Sequence, residues 1–206
     1  MEEMGLRERK KRRMYQDVSD VAVRLFLERG FEAVSVAEVA AAAGISKPTL
    51  FRYFPAKEDL VLYRIADHET EAAGVAAGAA DPVDALRRHF LAGLARRDPV
   101  TGLNDRPEVL AFHRLLYGTP SLVVRAYAHQ ERAEAALAEA LGGGLDARLA
   151  AGQITAVQRI LALENYRRIA AGETAEQVAP DAVEAAERAF GRLAAGLRGP
   201  VRKPAG

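Results

Sequence analysis

Apolar residues recur three and four positions apart along almost the whole chain, the spacing that places side chains on one face of an α-helix. Runs of β-branched residues with a period of two, which indicate strands, are missing. The 206 residues suffice for one large domain or two small ones, and half of them are apolar. The sequence therefore predicts an all-α protein with a substantial core.

Composition excludes several classes of protein. The chain has no cysteine, which rules out a disulfide framework and thiolate metal sites. Its charged start is not followed by an apolar run, and no apolar run approaches the ~18 residues of a membrane-spanning helix. We therefore expect a soluble, cytoplasmic protein that does not bind membranes, and nothing in the sequence implies a cofactor.

The distribution of charge is more informative than its total. The 29 basic and 28 acidic residues leave a net charge of +1, which does not by itself indicate a nucleic-acid partner. However, six of the seven residues in the stretch RERKKRR, from Arg7 to Arg13, are basic. Taken alone, this run is explained equally well as a solvated helix start or a disordered leader. The residues that follow the run must therefore show whether it belongs to a DNA-binding domain.

Two short helices in a fixed order follow the basic run. Ser35 and Glu38 have the spacing of a capping box, which begins the first helix. That helix ends at Gly44, and Ser46 caps the next one, whose first turn tolerates Pro48 because N–H groups there have no intrahelical acceptor. Two short helices joined by a glycine-containing turn predict a helix-turn-helix.

The second of these helices has two unlike faces. Leu50 and Phe54 fall together on the face expected to pack against the preceding helices. Phe51 points the other way, flanked by Lys47 and Arg52, where a large apolar ring serves no folding purpose. One face is therefore predicted to meet the protein and the other a partner.

The DNA major groove fits that second face. It admits a helix, its phosphates attract lysine and arginine, and its thymine methyl groups contact apolar side chains. Lys47, Pro48 and Phe51 are the candidate base readers. Alternatively, Phe51 could pack against the fourth helix, Tyr53 could be a half-buried core residue, and Thr49 could have no role beyond the helix itself. The predicted DNA-contacting residues are Ser35, Ser46, Lys47, Pro48, Thr49, Phe51, Arg52, Tyr53 and Lys57, with Arg9, Lys10 and Arg12 of the basic run lying along the backbone or in the minor groove.

From Gln16 to Leu62 the sequence resembles the TetR/AcrR family of bacterial transcriptional regulators, most specifically in AGISKPTLFRYFPAKEDL. The resemblance implies an all-helical homodimer with an N-terminal three-helix DNA-binding domain and a larger domain that binds an effector and dimerises. Phe51 stands where many members have tyrosine. By motif position, Ser35, Ser46, Thr49, Tyr53 and Lys57 match phosphate-contacting positions of the family, and Lys47, Pro48 and Phe51 match base-contacting ones.

The remaining two-thirds of the chain has no comparably specific motif. We expect a DNA-binding domain over residues 1–60 with a linking helix to about 78, and an effector-binding and dimerisation domain over 80–206. A fourth helix is predicted to run from near Lys57 through EDLVLYRIADHETEA. Helices are then predicted at about 83–97, 105–118 with Asp105 as cap, 120–141, 146–171 and 181–197.

Apolar seams on these helices give two sets of candidate residues. The resemblance implies a small, largely apolar effector, and its pocket is predicted to use Phe90, Leu94, Leu110, His113, Tyr117, Tyr127 and Asn165, although any one of them could be plain core. The dimer interface is predicted to use Ile154, Val157, Leu161, Val183, Phe190, Leu193 and Leu197, in a four-helix bundle between subunits. Packing within one chain is the alternative.

These features together predict a homodimeric repressor that binds double-stranded DNA at a near-palindromic operator. Binding of its ligand is predicted to release the protein from the operator. A non-specific architectural DNA-binding protein remains an alternative, as does an all-helical small-molecule-binding protein or enzyme. The sequence argues against an enzyme, because it lacks a cysteine nucleophile, a glycine-rich phosphate loop and histidines at metal-ligand spacing. No metal site is predicted.

Overall fold

The computed structural model describes residues 6–66 and 68–197, with side chains from Arg13 onward. This part of the chain is helical and contains no strand, which confirms the predicted all-α class. The helices are α1 (Leu6–Arg29), α2 (Val36–Ala42), α3 (Lys47–Tyr53), α4 (Asp59–Ala66), α5 (Glu71–Ala76), α6 (Pro82–Ala95), a 3-10 helix (Pro99–Thr101), α7 (Pro107–Gly118), α8 (Pro120–Ala140), α9 (Gly144–Ala170) and α10 (Ala175–Leu197). None of the described helices is long and apolar enough to cross a bilayer.

The predicted long fourth helix is interrupted. α4 ends at Ala66, and α5 begins only at Glu71. The N–H of His68 donates to the carbonyl of Ile65, and the N–H of Glu69 to that of Ala66. Such bonds, from a residue to the third one before it, tighten and end a helix. His68 and Thr70 also have low intrinsic helix propensity, which apolar periodicity does not register.

The last helix begins six residues earlier than predicted. Thr174 and Gln177 form a capping box: the Gln177 N–H donates to Thr174 Oγ1 at 3.2 Å, and the Thr174 N–H donates to Gln177 Oε1 at 2.8 Å. Pro180 lies inside this helix, where proline removes one backbone hydrogen bond without ending the helix. The TAEQ sequence carries the capping-box pattern and would have located the start correctly.

Asp105 caps a different helix from the one expected. α7 begins at Pro107, and the Asp105 carboxylate instead accepts the backbone N–H of Ala175, at 2.8 Å. It therefore serves the first turn of α10, where an acidic group also interacts favourably with the helix dipole.

The chain forms two compact units, each with its own apolar core. Among the described residues, the head unit comprises those up to residue 69 together with 111–129, and the second unit comprises 70–110 and those from residue 130 onward. In the second unit, α10 packs on α6 and α9 around Leu86, Phe90, Ile154 and Phe190. The head unit is larger than the predicted DNA-binding domain, because residues 111–129 contribute to its core. The functional division at residues 60 and 80 stays a prediction.

Candidate nucleic-acid interface

The helix-turn-helix is built from local caps and one glycine turn. Ser35 caps α2, and its hydroxyl oxygen accepts the N–H of Glu38 while the Glu38 carboxylate accepts the N–H of Ser35. Gly44 has φ +68° in the turn, a conformation that favours glycine. Ser46 then caps α3 by accepting the N–H of Thr49. The predicted capping box, turn and second cap are all confirmed.

The Glu38 carboxylate also pairs with the Arg29 guanidinium at 2.7 Å. Hydrogen bonding from the Ser35 N–H, and then from Arg29, lowers the pKa of Glu38 to about 2. A carboxylate with a depressed pKa in the folded state stabilises the fold above its unfolded value, and this stabilisation is lost as the pH falls from about 4.5 to about 2.

We therefore expect Glu38→Gln to lower the thermal midpoint at pH 7, since glutamine keeps the capping geometry but loses the ion pair. The deficit relative to the parent protein should shrink between pH 4.5 and pH 2, where the parent carboxylate becomes protonated. Thermal denaturation followed by circular dichroism at several pH values measures the difference. A deficit that is constant across this range would contradict the assignment.

α3 is held by one face, as predicted. Leu50 and Phe54 are buried in the core of the head unit together with Phe26 and Val39. An aromatic cluster adds to this attachment, because the ring of Tyr15 lies 5.1 Å from the rings of both Tyr53 and Phe54 and 5.2 Å from that of Tyr63. Aromatic pairs at such distances add to the burial energy, so α3 is fixed against α1 and α4.

The opposite face of α3 presents cations and an aromatic ring to solvent. Lys47, Pro48, Phe51 and Arg52 are exposed, and the Phe51 side chain is 41% exposed. The Lys47 ammonium lies 5.8 Å from the centre of the Phe51 ring, one turn away. The face therefore combines a positive charge and a flat apolar group within one turn of a helix of seven residues.

The hydroxyl groups of Tyr53 and Thr49 on α3 are each hydrogen-bonded to a neighbouring side chain. The Arg52 guanidinium lies over the Tyr53 ring at 4.8 Å and donates to its hydroxyl at 3.0 Å. The Ser46 and Thr49 hydroxyl groups are 2.8 Å apart and share a hydrogen bond. Each hydroxyl that accepts one of these bonds keeps a proton to donate, so contacts to phosphate stay a prediction for both Tyr53 and Thr49.

Lys57 is placed differently from expectation. Its ammonium donates to the backbone carbonyl of Phe31 and lies 4.3 Å from the Phe31 ring centre and 5.5 Å from that of Phe26. The charge is therefore engaged with the end of α1 and the turn after it, inside the head. The ammonium of this residue, which precedes α4, therefore has a structural partner in the head, and we expect that it does not contact phosphate.

We expect Lys57→Met to lower the stability of the head by about 2 kcal/mol, because it removes a charged hydrogen bond and a cation–π contact. The slope of log affinity against log salt should stay unchanged, since no phosphate contact is lost. Lys47→Met is the matched control, because it removes an exposed lysine from α3 and should weaken DNA binding at unchanged stability. A smaller salt slope in Lys57→Met would show that Lys57 does contact phosphate, contrary to this expectation.

The predicted contacts of the basic run cannot be placed. Arg9, Lys10 and Arg12 belong to the first turns of α1, and their side chains lie outside the described residues.

Residues 111–129 hold α4 in a way that the sequence did not reveal. Arg125 of α8 donates to both carboxylate oxygens of Asp59, at 2.9 and 3.0 Å, and Asp59 is the first residue of α4. His129 hydrogen-bonds Glu69 just beyond the end of α4. The first partners are 66 positions apart in the chain and the second 60, so no local pattern could have indicated either contact.

The seven residues predicted to line an effector pocket are distributed over both units. Phe90 and Leu94 are buried in the core of the second unit, and Leu110 packs against that core. Asn165 is buried, and its side-chain amide donates to the Thr101 carbonyl at 2.9 Å. That bond gives Asn165 a structural role, and its part in an effector pocket stays a prediction.

The other three pocket candidates belong to the head unit. Tyr117 and Tyr127 are about half exposed, at 48% and 52%. The ring of His113 lies 6.0 Å from that of Tyr117, and burial lowers the pKa of His113. The aromatic exposure differs from that expected of residues enclosing an apolar ligand, and binding by these side chains stays a prediction.

The residues predicted to form the dimer interface differ in how far they are buried within their own chain. Ile154, Phe190 and Leu193 are buried in the core of their own chain, which contradicts their assignment to an intersubunit surface. Periodicity identified the apolar face correctly, but that face meets the other helices of the second unit. Val157, Leu161 and Leu197 are partly buried, and Val183 is exposed. Other exposed apolar residues also lie on α9, at Leu145, Leu149 and Ile160.

Within the described residues, no group of three or more histidine, cysteine, aspartate or glutamate side chains is arranged to hold a metal ion.

A capped helix-turn-helix whose second helix exposes cations and an aromatic ring, in an all-helical chain with a separate second core, defines a helical DNA-binding regulator. Comparison with known proteins agrees. Residues 19–63 match the model of the bacterial regulatory proteins of the tetR family. The HTH-type transcriptional regulator TcmR of Streptomyces glaucescens is 31% identical over 176 residues, covering 80% of this chain and 78% of TcmR. The chain belongs to the TetR family and is a transcriptional regulator.

Solved structures show the same architecture. A TetR-family regulator of Streptomyces coelicolor A3 superposes with a TM-score of 0.55 at 25% identity, over 87% of this chain and 95% of that one. The flavonoid-responsive regulator FrrA superposes with a TM-score of 0.50 at 26% identity, over 87% and 96%. The relatives are regulators rather than enzymes.

Proposed function

We propose that this protein is a homodimeric repressor that binds a near-palindromic operator through α3 and leaves it when a small, largely apolar molecule binds. The observation that carries the proposal is the exposed Phe51 beside Lys47 on a helix whose other face is buried. Both side chains lie on one α-helix, and the major groove is wide enough to admit an α-helix. Lys47, Pro48 and Phe51 are the proposed base readers.

The phosphate contacts surround these readers. Ser35, Ser46, Thr49, Arg52 and Tyr53 are the proposed contacts, with Arg9, Lys10 and Arg12 along the backbone. Two-fold symmetry would separate the two α3 helices by about one DNA turn, roughly 34 Å, which demands an operator of two inverted half-sites. Four of the proposed phosphate-contacting residues are cations, so a dimer would neutralise about eight phosphates and give a log–log salt slope near −7.

The dimer would form through exposed apolar residues of α9 and α10. Ile160 is 57% exposed on α9, and Leu149 and Val183 are also exposed; isolated apolar residues are normal on surfaces, but these share two neighbouring helices. Ile160→Glu should yield monomers in sedimentation and lose cooperative operator binding. Val124→Glu is the control, since Val124 is an exposed apolar residue on α8 of the head unit. Dimers that persist in Ile160→Glu would reject this surface.

Ligand response is proposed by analogy with FrrA, whose name records a response to flavonoids. In the second unit, Phe90, Leu94 and Leu110 are the proposed apolar contacts of this ligand, with Asn165 as a polar one. The ligand must bind the released state more tightly than the DNA-bound state, and a hundredfold preference corresponds to about 2.7 kcal/mol per site.

One experiment tests class, symmetry and response. Purified protein selects fragments from random duplex DNA, and candidate compounds are then screened for release of the recovered sequences. We expect an inverted repeat and at least one releasing compound. Recovered fragments that share no common sequence would favour a non-specific architectural DNA-binding protein. If no compound released the protein from the recovered DNA, the proposed ligand response would be rejected.

A further inference from the structure

The second unit contains a cleft that the regulator function does not use. Its volume is about 430 Å³, and it is lined by Arg96, Arg97, Asp98 and Pro99 together with residues 104–106. This volume lies within the range of small-molecule sites. None of the residues predicted to bind an apolar effector lines it. Three of its lining side chains are arginines, the third being Arg106, so its chemistry differs from that of an apolar pocket.

The loop that carries these arginines is fixed to the body of the unit. The Thr101 carbonyl accepts the amide of Asn165 on α9, at 2.9 Å. A methyl group added to Gly102 would lie 1.9 Å from the Ala162 carbonyl oxygen, so the loop backbone lies directly against α9 there. Thr101, Gly102, Leu103 and Asn104 are all buried. The lining residues on either side of this buried stretch are therefore held at fixed positions.

A single buried side chain ties two of the arginines together. The Asn104 Nδ2 donates to the Arg97 carbonyl at 2.7 Å, and the Asn104 Oδ1 accepts the Arg106 N–H at 3.1 Å. Arg97 has φ +54° and is the one non-glycine residue of the described chain in the left-handed region, which a side chain with a Cβ disfavours. The loop thus holds both backbones in place around the cleft before any ligand arrives.

The carboxylates in the cleft neutralise these arginines incompletely. Three arginines and two aspartates, Asp98 and Asp105, line it, so the lining carries a net charge of +1, and the nearby Glu108 approaches Arg106 from outside the lining. Asp98 Oδ1 already accepts the Val100 N–H at 3.1 Å, and Asp105 Oδ2 accepts the Ala175 N–H at 2.8 Å. The nearest approach of Arg97 to Asp105 is 3.7 Å, beyond a good hydrogen bond.

The ion pair of Arg106 is also long, since its closest carboxylate oxygen, on Glu108, lies 3.4 Å away. Only Arg96 has a short partner, Asp98 at 3.1 Å. Each guanidinium has five N–H donors, so Arg97 and Arg106 retain donors for a ligand.

We propose that this cleft binds the oxyanion group of a small molecule, a phosphate or a carboxylate, through Arg97 and Arg106. A guanidinium matches either group with two parallel hydrogen bonds, and charge assistance makes such bonds stronger than neutral ones. The site is distinct from the proposed apolar effector pocket, and it does not depend on the DNA-binding proposal.

Isothermal titration of the full chain at constant ionic strength tests the site, with inorganic phosphate, pyrophosphate and citrate as separate probes. We expect saturable binding of at least one probe, and the preferred probe assigns phosphate or carboxylate. Arg97→Gln and Arg106→Gln should each weaken that binding at least tenfold. Arg159→Gln, at an exposed arginine of α9 outside the cleft, should leave it unchanged.

Three results would overturn the proposal: no saturable binding of any probe at millimolar concentration, full binding in both cleft variants, or equal weakening by Arg159→Gln. Thermal denaturation checks that each variant is folded. If Arg97→Gln does not fold, Arg106→Gln decides alone, since its exposed side chain makes no hydrogen bond shorter than the 3.4 Å approach to Glu108.

Discussion

Gly102→Ala is expected to destabilise the second unit by roughly 3 kcal/mol or more. Gly102 has φ +71°, and its new methyl group would lie 1.9 Å from the Ala162 carbonyl oxygen. Overpacking costs about 1 to 3 kcal/mol, and a left-handed conformation adds about 1 to 2 kcal/mol for a residue with a Cβ. Because the obstacle is backbone, no side chain can move aside. Urea denaturation followed by circular dichroism measures the loss.

Gly74→Ala provides the matched control. Gly74 lies in α5, has nothing within 4 Å of an added methyl group and lacks a positive φ. Alanine there should be neutral or stabilising by about 0.5 kcal/mol, since glycine loses more backbone entropy on folding. Equal stability of the Gly102→Ala protein and the parent would mean that the loop is not seated on α9 as described.

Leu50→Ala and Phe51→Ala should have opposite consequences although the residues are adjacent. Leu50 is completely buried in the head core, so its truncation should cost about 2 to 5 kcal/mol of stability and lower affinity for every DNA sequence. Phe51 is exposed, so its truncation should leave stability unchanged. It should instead cost about 1 to 3 kcal/mol of discrimination at particular base pairs.

Thermal denaturation and binding to a panel of single-base operator variants separate these two effects. The panel should show a flattened preference at specific thymines for Phe51→Ala and a uniform loss for Leu50→Ala. An unchanged sequence preference in Phe51→Ala would indicate that its ring does not meet bases.

The head could be predicted because its determinants are local. The capping box pairs Ser35 with a residue three positions away, and Ser46 caps α3 through Thr49, also three positions away. Periodicity also identified Leu50 as core and Phe51 as surface. Such signals are complete within one or two helical turns, so a single sequence displays them.

Contacts between distant residues could not be predicted in the same way. Asp105 meets the N–H of Ala175, 70 positions along the chain, and nothing near Asp105 distinguishes this role from capping its own helix. Lys57 turns back to the Phe31 carbonyl, 26 positions earlier. The periodicity of Ile154 and Phe190 shows that a face is apolar, but not whether that face meets the same chain or a second copy.

The participation of Leu116 and Leu122 in the head core limits how far this regulator is modular. Both are buried there although they lie more than fifty positions beyond α3. A fragment cut at residue 78 would therefore expose apolar surface that the intact chain covers. A chimaera that joins residues 6–69 to another sensor domain must also carry residues 111–129, or supply other apolar side chains that cover the same part of the head core.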